Sequence, residues 1–379
     1  MKIVLTGGGS GGHFYPLIAV AEQLRAQAAE RKLLDPELIY LGPEPFDREA
    51  LIAQDIAFAK TPAGKMRRYA SIFNVFDAFK TLFGIIKSVF QLYSLYPDVI
   101  FSKGGYAAFP TMVAARVLRI PVVIHESDAH PGRSNLYAAK FARAIGIAHP
   151  DAAHEFPERV RDRIALVGNP IRHGIEHPSP AGGHEFLDLR NDVPTLLVLG
   201  GSQGAQAIND TIIDALPILV ERYNVVHQTG SAHLEEVKGL AHVRLREGRY
   251  EERYRAYGLL NELALRMAAG IASLIIARAG SGTIFEVASW GIPSILVPIP
   301  EDVSHDQTKN AFSYARSGAA EVMEQKNLTP HLLIAEVDRI MGDPALRQQM
   351  SEAAKAFARP DAAAKIAHVI LETALEHAQ

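Results

Sequence analysis

Short runs of apolar residues alternate along the chain with longer stretches whose apolar positions repeat at helical spacing. Such runs, bounded by turn residues, are typical of strands that are buried on both faces of a parallel sheet. The predicted strands are Ile3–Leu5, Leu38–Leu41, Val99–Phe101, Val122–His125, Thr195–Leu199, Val225–Gln228, Leu274–Ala277 and Ser294–Pro298. Helical patterns between them include Leu17–Gln27 and Phe109–Leu118. The alternation predicts an α/β fold with helices on both faces of parallel sheets.

The second half of the chain repeats the plan of the first. Val99–Pro121 and Leu274–Pro293 each lead from an apolar run through a turn and a helix to Ile-Pro and a new strand. Any two strand–helix–strand units look alike, so this likeness fits both duplication and chance. Because 379 residues exceed one ordinary core, we predict two domains with a boundary near Val167–Pro170. Gly174–Glu185 is predicted as a surface loop or linker, and Pro360 should kink or restart a C-terminal helix.

A glycine-rich turn follows the first predicted strand of each half. The turns are Gly7–Gly12 and Gly200–Gly204, and each leads into a helical pattern. A strand–turn–helix corner of this kind directs backbone N–H groups and the positive end of a helix at an anion, usually a phosphate. Glycine also serves such corners for steric reasons alone. Two copies, one opening each half, predict two nucleotide-binding domains that face a shared cleft.

The first turn also fits a dinucleotide-binding fingerprint, since Gly7, Gly9 and Gly12 have the required spacing. That fingerprint needs an acidic residue at the end of the second strand, where it holds a ribose. Here Leu38–Leu41 is followed by glycine and proline, with Glu44 only beyond them, so an NAD-dependent oxidoreductase is disfavoured. His13 stands at the predicted helix start, where it is either a polar cap or a titratable group of the site.

Composition narrows the function classes further. The formal net charge is −3, which gives no reason to expect a nucleic-acid partner. The sequence has no cysteine, which excludes disulfides and thiolate chemistry, and it shows no cluster at metal-ligand spacing. We therefore expect metal-independent chemistry without a cofactor. The N-terminus shows no signal-peptide pattern, and no run of ~18 apolar residues is present, so a cytosolic protein is expected.

The segment between Lys65 and Tyr96 carries an unusually wide apolar stripe. Its members at helical spacing are Ile72, Phe73, Phe76, Phe79, Phe83, Ile86 and Phe90, widened by Leu82, Ile85 and Val89. The basic residues around it are Lys65, Arg67, Arg68, Lys80 and Lys87. One interpretation is a helix buried on two sides, or two helices broken near Gly84. The other is an interfacial surface that rests on anionic lipid.

Eight loop motifs follow one another along the chain: Thr6–Pro16, Ser102–Tyr106, His125–Gly132, Gly168–Arg172, Gly200–Ala205, His227–Gly230, Arg278–Glu286 and Asp306–Ala311. This set resembles the MurG family, the UDP-N-acetylglucosamine transferases of glycosyltransferase family 28 that form lipid II. The motifs occur in order over residues 1 to about 325. Each loop alone has low specificity, but the ordered set is highly specific.

The resemblance implies the GT-B fold, in which two Rossmann-like domains face a central cleft. It implies transfer of GlcNAc from UDP-GlcNAc to the C4 hydroxyl of the MurNAc of undecaprenyl-linked lipid I, with inversion, at the cytoplasmic face of the cell membrane. Residues 1–167 would bind the undecaprenyl-diphospho-MurNAc-pentapeptide acceptor and the anionic membrane surface. Residues 168–355 would bind the donor, and a helix over about 356–379 would pack back on the first domain. Another GT-B UDP-sugar transferase and a non-catalytic UDP-GlcNAc-binding protein are the alternatives.

The resemblance also implies residue roles. Donor-binding positions are Ser10, Gly11, Gly12, His13, Asn135, Arg172, Gly201, Ser202, Gln203, Leu260, Ser281, Gly282, Thr283, Glu286 and Gln307. Acceptor-binding positions are Gly8, Gly9, Gly104, Gly105 and Tyr106. Catalytic candidates are His13, Glu126 and Asp128, of which His13 is the conventional general base.

Five of the donor-binding residues have a clear chemical purpose in this assignment. Arg172, Ser202 and the backbone at Gly201 would stabilise the negative charge that develops on the leaving diphosphate. Glu286 would accept hydrogen bonds from the ribose hydroxyls, and the backbone near Leu260 would hold the uracil.

Overall fold

The computed structural model describes residues 1–65, 73–201, 204–246, 250–301, 303 and 305–377, with backbone only at 73, 74 and 305. The chain forms two compact units. Unit 1 contains Met1–Arg172 and Arg359–Gln379, and unit 2 contains His173–Ala358.

Unit 1 is built on a parallel sheet. Its strands are β1 (Lys2–Thr6), β2 (Glu37–Gly42), β3 (Ala57–Lys60), β4 (Val99–Ser102), β5 (Val122–Glu126), β6 (Ala144–Ile147) and β7 (Ile164–Leu166). Its first helices are α1 (Gly11–Glu30), α2 (Arg48–Ala53), α3 (Phe73–Leu95), α4 (Phe109–Leu118), α5 (Arg133–Ala138) and α6 (Ala152–Glu155). A 3₁₀ turn, Glu158–Arg163, precedes β7. The strand order is β3-β2-β1-β4-β5-β6-β7.

Unit 2 repeats this architecture. Its strands are β8 (Thr195–Leu199), β9 (Asn224–Gln228), β10 (Tyr254–Tyr257), β11 (Ala272–Ala277), β12 (Ser294–Leu296) and β13 (Ala320–Val322). Its helices are α7 (His173–Glu176), α8 (Gly183–Phe186), α9 (Gln206–Arg222), α10 (Leu234–Leu245), α11 (Glu262–Ile271), α12 (Ser281–Trp290), α13 (His305–Ala315), α14 (Pro330–Gly342) and α15 (Pro344–Phe357). The 3₁₀ turns are Glu251–Arg253 and Gln325–Asn327, and the strands pair in parallel in the order β10-β9-β8-β11-β12-β13.

Alternation along the central strands produces a core on both faces of the first sheet. On β1, Ile3 and Leu5 pack with Leu17 of α1, whereas Val4 packs with Met112 of α4 on the opposite face. Successive strand residues point to opposite faces, so a strand covered on both sides is apolar throughout. The predicted α/β fold with two Rossmann-like parallel sheets is confirmed.

The last helix, α16 (Ala362–His377), belongs to unit 1. The break that Pro360 predicts falls between the end of α15 and the start of α16. Ile366 and Ile370 join the α1 side of the core. The side-chain amide of Gln27 donates to the carbonyl of Ala364 at 2.8 Å. This helix therefore packs beside α1 on one face of the first sheet.

Two predicted segments differ from the structure. Gly174–Glu185 is not a loop throughout, since α7 and α8 form there; Ile175 is buried, and its carbonyl accepts from the Trp290 indole at 2.7 Å. The predicted strand Ser294–Pro298 ends at Leu296. The Arg278 guanidinium donates to the next two carbonyls, of Val297 at 3.1 Å and of Pro298 at 3.3 Å. These carbonyls are therefore engaged by a side chain and do not extend the strand pairing.

The wide apolar stripe lies on α3, which runs unbroken from Phe73 to Leu95 and exposes the stripe. Phe76, Phe79, Phe83 and Phe90 are 67%, 67%, 60% and 70% exposed. The predictions of a helix buried on two sides and of a break at Gly84 are both wrong. Arg67, Arg68, Ile72 and the side chain of Phe73 lie outside the described residues.

The small and polar face of α3 is the one that packs. A Cβ on Gly84 would lie only 1.9 Å from the carbonyl oxygen of Pro62, so glycine permits a close backbone contact there. The Thr81 hydroxyl accepts from the Gly64 N–H at 3.1 Å. Nowhere in the described part of the chain is a helix both long and apolar enough to cross a bilayer.

Candidate active site

Both glycine-rich turns lie where the strand order of their sheet reverses. In unit 1 the chain leaves β1 and β4 toward opposite sides, and in unit 2 it does so at β8 and β11. Open parallel sheets bind ligands at this switch point, outside the carboxyl ends of the strands. Within each unit, the topology therefore brings together the predicted motifs that follow its two central strands.

In unit 1 the turns after β1 and β4 contact each other closely. Gly105 has φ +77°, and a Cβ on it would lie 2.9 Å from the carbonyl oxygen of Gly8. A Cβ on Gly9, where φ is +99°, would lie 2.5 Å from the ring of Tyr106. At Gly105 both the backbone angle and the nearby carbonyl exclude a side chain, and at Gly9 the backbone angle strains any residue other than glycine. Gly104, next to Gly105, lies in the same turn, so the structure brings the predicted acceptor-binding residues into one place.

His13 lies in the first turn of α1 and is half-buried. Its Nδ1 lies 3.2 Å from the carbonyl oxygen of Lys103, so Nδ1 carries the proton and donates. This tautomer leaves the lone pair on Nε2. Burial holds the pKa of His13 below its usual value, with Asp128 opposing this shift and Lys103 adding to it.

The residues before His13 form the helix start. Ser10 is exposed at the N-cap position, and its carbonyl accepts from the N–H groups of His13 and Phe14, both at 3.2 Å. Gly12 is exposed and Gly11 half-exposed. A helix start of this kind suits an anion.

Glu126 ends β5 and is buried, and its carboxylate organises the loop that follows. One oxygen accepts from the Asp128 N–H at 3.0 Å, and the other from the Gly132 N–H and the Asn135 amide, each at 2.9 Å. Burial and the neighbouring Asp128 raise the pKa of Glu126 to about 7, while these three hydrogen bonds lower it. Its geometry supports a structural role. Asp128 is half-exposed in the same loop and acts electrostatically on His13.

Asn135 is buried in α5, within unit 1. Its side-chain NH₂ donates to the His125 carbonyl at 3.0 Å and to Glu126. Its oxygen has no hydrogen-bond partner among the described residues. The predicted contact of Asn135 with the donor is therefore left to that oxygen and stays a prediction.

Arg172 lies at the end of unit 1 and stacks on an aromatic ring of α1. Its guanidinium carbon is 4.1 Å from the centre of the Tyr15 ring. The Tyr15 hydroxyl in turn donates to the Asp47 carboxylate at 3.2 Å. A cation held over a ring face in this way is fixed in direction as well as in charge. Sequence reasoning did not identify Tyr15 as the residue that positions Arg172.

Sequence reasoning missed Lys103, although it lies in the quoted motif after β4. Its side chain is completely buried, and its Nζ contacts His125 Nδ1 at 2.6 Å, Asn169 Oδ1 at 2.9 Å and Ser127 Oγ at 3.2 Å. Burial lowers the pKa of Lys103 to about 7, against the raising effect of Glu126 and Asp128. Lysine is almost never fully buried without a reason, so a buried one at a switch point indicates a functional role.

In unit 2 the turn between β8 and α9 contains two glycines with positive φ, Gly201 at +81° and Gly204 at +80°. A Cβ on Gly204 would lie 2.4 Å from the carbonyl oxygen of Thr229, whereas one on Gly201 would meet no atom of the described residues within 4 Å. The space beside Gly201 is thus open to a ligand. Ser202 and Gln203, both predicted to bind the donor, lie outside the described residues.

The predicted ribose-binding carboxylate lies on α12. Ser281, Gly282 and Thr283 form the first turn of this helix, and Glu286 follows in the second, half-exposed. A Cβ on Gly282 would meet no atom of the described part of the chain within 4 Å, so this helix start is also open. The helix dipole favours anions there.

Two other donor candidates have hydrogen bonds within unit 2. The Leu260 N–H donates to the Gln228 side chain at 3.1 Å. Gln307 accepts from the Ile299 N–H at 3.1 Å through its side-chain oxygen. Contacts of both residues with a donor stay predictions.

Comparison with known proteins supplies the class. The N-terminal domain of glycosyltransferase family 28 matches residues 3–147, and its C-terminal domain matches residues 195–366. With its two Rossmann-like parallel-sheet domains, the chain is a glycosyltransferase of the GT-B architecture.

Individual relatives define the branch. The UDP-N-acetylglucosamine–N-acetylmuramyl-(pentapeptide) pyrophosphoryl-undecaprenol N-acetylglucosamine transferase of Treponema denticola is 34% identical over 92% of this chain and 89% of that protein. The enzyme of the same name from Clostridium kluyveri is 33% identical over 97% of this chain and 98% of its own length. The crystal structure of Acinetobacter baumannii MurG superposes with a TM-score of 0.74 at 28% identity, covering 98% of this chain and 99% of that one. The chain belongs to the MurG family of glycosyltransferase family 28.

Proposed function

We propose that this protein transfers GlcNAc from UDP-GlcNAc to the C4 hydroxyl of the MurNAc of undecaprenyl-linked lipid I, forming lipid II. Family membership over nearly the full length is the observation that carries the proposal. The open helix starts at both switch points support it, because donor and acceptor each contain a diphosphate.

The transfer needs a base for the acceptor hydroxyl and a counter-charge for the leaving group. The C4 oxygen attacks C1 of GlcNAc, the bond from C1 to the phosphate oxygen breaks, and UDP leaves with the electron pair. His13 Nε2 takes the hydroxyl proton. Its proton on Nδ1 is already committed to the Lys103 carbonyl, which supports this assignment.

The other groups follow from the same chemistry. Asp128 acts electrostatically on His13 and stabilises the imidazolium that forms. Glu126, whose carboxylate is taken by loop N–H groups, shapes the site rather than moving a proton. Arg172, Ser202 and the Gly201 backbone stabilise the departing diphosphate.

The proposal is tested by UDP release from UDP-GlcNAc, measured with and without a lipid I analogue. We expect release to depend on the acceptor and the product to contain GlcNAc linked to MurNAc. Release that is independent of acceptor would refute the transfer. Binding of UDP-GlcNAc without any turnover would favour a non-catalytic nucleotide-sugar sensor instead.

The donor assignment predicts that Glu286→Ala weakens UDP binding by roughly 10–100-fold, because a charge-assisted hydrogen bond contributes about 1.5–3 kcal/mol. Calorimetric titration with UDP measures this effect. The exposed Glu235 of the same unit provides the control, since Glu235→Ala should leave UDP affinity unchanged. Unaltered UDP affinity in a folded Glu286→Ala protein would remove this carboxylate from the site.

We further propose that the exposed apolar face of α3 rests on the anionic membrane surface at the cytoplasmic side, where a lipid-linked acceptor is embedded. Phe79, Phe83 and Phe90 supply apolar area, and Lys80 supplies positive charge beside it. An amphipathic helix with such a face lies in the interface and does not cross the bilayer.

Replacing Phe79, Phe83 and Phe90 together by serine should lower binding to anionic vesicles at least about 10²-fold. The reason is that each phenylalanine that becomes buried in the lipid contributes ~1.5 kcal/mol or more to binding. Co-sedimentation with phosphatidylglycerol vesicles measures the binding. The control replaces Leu34 and Ile52 by serine. These two residues lie elsewhere on unit 1, where they are 85% and 74% exposed. Equal vesicle binding by the triple variant and the wild type would rule out this face.

A further inference from the structure

Lys103 is a buried lysine that the proposed mechanism does not use. Its ammonium has three N–H donors, and the three acceptors, on His125, Ser127 and Asn169, are all neutral. His125 accepts through Nδ1 because its Nε2 donates to the Gly168 carbonyl at 2.7 Å. Burial holds the pKa of His125 well below its usual value, so this ring stays neutral. When it is protonated, Lys103 is thus a buried positive charge whose three hydrogen-bond acceptors are all neutral.

The contacts of Lys103 join three segments of the candidate site. Its Nζ bonds to Ser127, next to Asp128, and to Asn169, three positions before Arg172. Its main-chain carbonyl accepts from His13. One residue therefore contacts the three segments that carry the proposed base His13, its electrostatic partner Asp128 and Arg172, the cation proposed to stabilise the diphosphate.

We propose that Lys103 is a positioning residue of the transfer reaction, holding His13, Asp128 and Arg172 in one arrangement, and that its charge adds to burial in keeping the His13 imidazole neutral. The kinetic part of this inference rests on the proposed function. The effect of the charge on His13 is a property of the folded protein alone.

The groups that face His13 make this effect measurable. Asp128 raises the pKa of His13, and Lys103 lowers it; the neighbouring His125 is neutral. Because burial lowers the pKa of Lys103 to about 7, its ammonium forms as the pH falls through neutrality. The positive charge is therefore present in the acidic range in which His13 would otherwise become protonated.

Two substitutions remove the net charge by opposite means. Lys103→Met deletes the ammonium, whereas Asn169→Asp keeps it and places a carboxylate at the 2.9 Å contact. In both we expect the pKa of His13 to rise by about one unit. NMR titration of the His13 Cε1–H signal, assigned with His13→Gln, measures it. Lys140→Met, which removes an exposed lysine of the same unit, should cause no shift.

The acid limb of the pH profile of kcat/KM should move upward by the same amount in both variants. An unchanged His13 pKa in folded Lys103→Met and Asn169→Asp proteins overturns the inference, as does a uniform loss of kcat without displacement of the limb. If Lys103→Met fails to fold, Asn169→Asp carries the test, because it retains the lysine. A shifted His13 pKa in a protein whose wild type shows no acceptor-dependent UDP release would refute the proposed function and leave the charge effect standing.

Discussion

Replacement of His13 by glutamine is expected to lower turnover by about 10²–10⁴-fold, the usual contribution of a general base. Glutamine can still donate a hydrogen bond to the Lys103 carbonyl, which His13 reaches at 3.2 Å, so the local structure should survive. It cannot accept the proton of the acceptor hydroxyl. UDP affinity should stay near the wild-type value, because the proposed ribose and uracil contacts lie in unit 2. Steady-state kinetics with a lipid I analogue and titration with UDP measure the two quantities.

The pH range of the experiment distinguishes the candidate bases. His154→Gln changes an exposed histidine of the same unit and should keep wild-type turnover. If His13→Gln retains most of its turnover between about pH 6 and 9, the base lies elsewhere. Asp128 is then the next candidate, since both oxygens of Glu126 are already occupied by loop N–H groups.

The strands that sequence reasoning identified are the central ones, and burial explains why. β1 and β8 are covered on both faces, so each is an uninterrupted apolar run. β3 and β7, at the edges of the first sheet, are mostly half-buried or exposed and carry no such run, and neither was predicted. A short edge strand is defined by its pairing with a neighbour, which the local sequence does not reveal.

The apolar stripe of α3 shows a second limit. Its spacing predicted a helix, but the same spacing fitted a buried and an exposed helix equally well. Which face is buried depends on Gly84 and Thr81. The missing side chain of Gly84 and the small one of Thr81 allow that face to pack against residues 62–64, so the apolar stripe is exposed. The exposure of the stripe is therefore determined by packing partners outside the helix, which the periodicity of the helix does not reveal.

The candidate site was also predicted only in part. The family resemblance assigned His13, Gly105 and Asp128 to one site, and the parallel sheet explains their proximity, because parallel strands deliver their following loops to the same sheet edge. It gave no signal for the burial of Lys103 or for the stacking of Arg172 on Tyr15, whose partners are far apart in the chain. Contacts of this kind follow from tertiary packing, and the local sequence around a polar loop residue does not indicate how deeply that residue is buried.

The stacking of Arg172 leads to the second large expected effect. Arg172→Ala should lower turnover about 10²–10³-fold, the scale for loss of one group that stabilises developing charge. Affinity for UDP-GlcNAc should fall much less, because the negative charge on the diphosphate grows only as the bond to C1 breaks. Arg172→Lys keeps the charge but loses the planar guanidinium 4.1 Å from the Tyr15 ring, so we expect only partial recovery. Arg161→Ala, at an exposed arginine of unit 1, is the control. Parallel measurement of kcat and donor affinity decides, and equal losses in both would make Arg172 a binding residue with no selective action on the transition state.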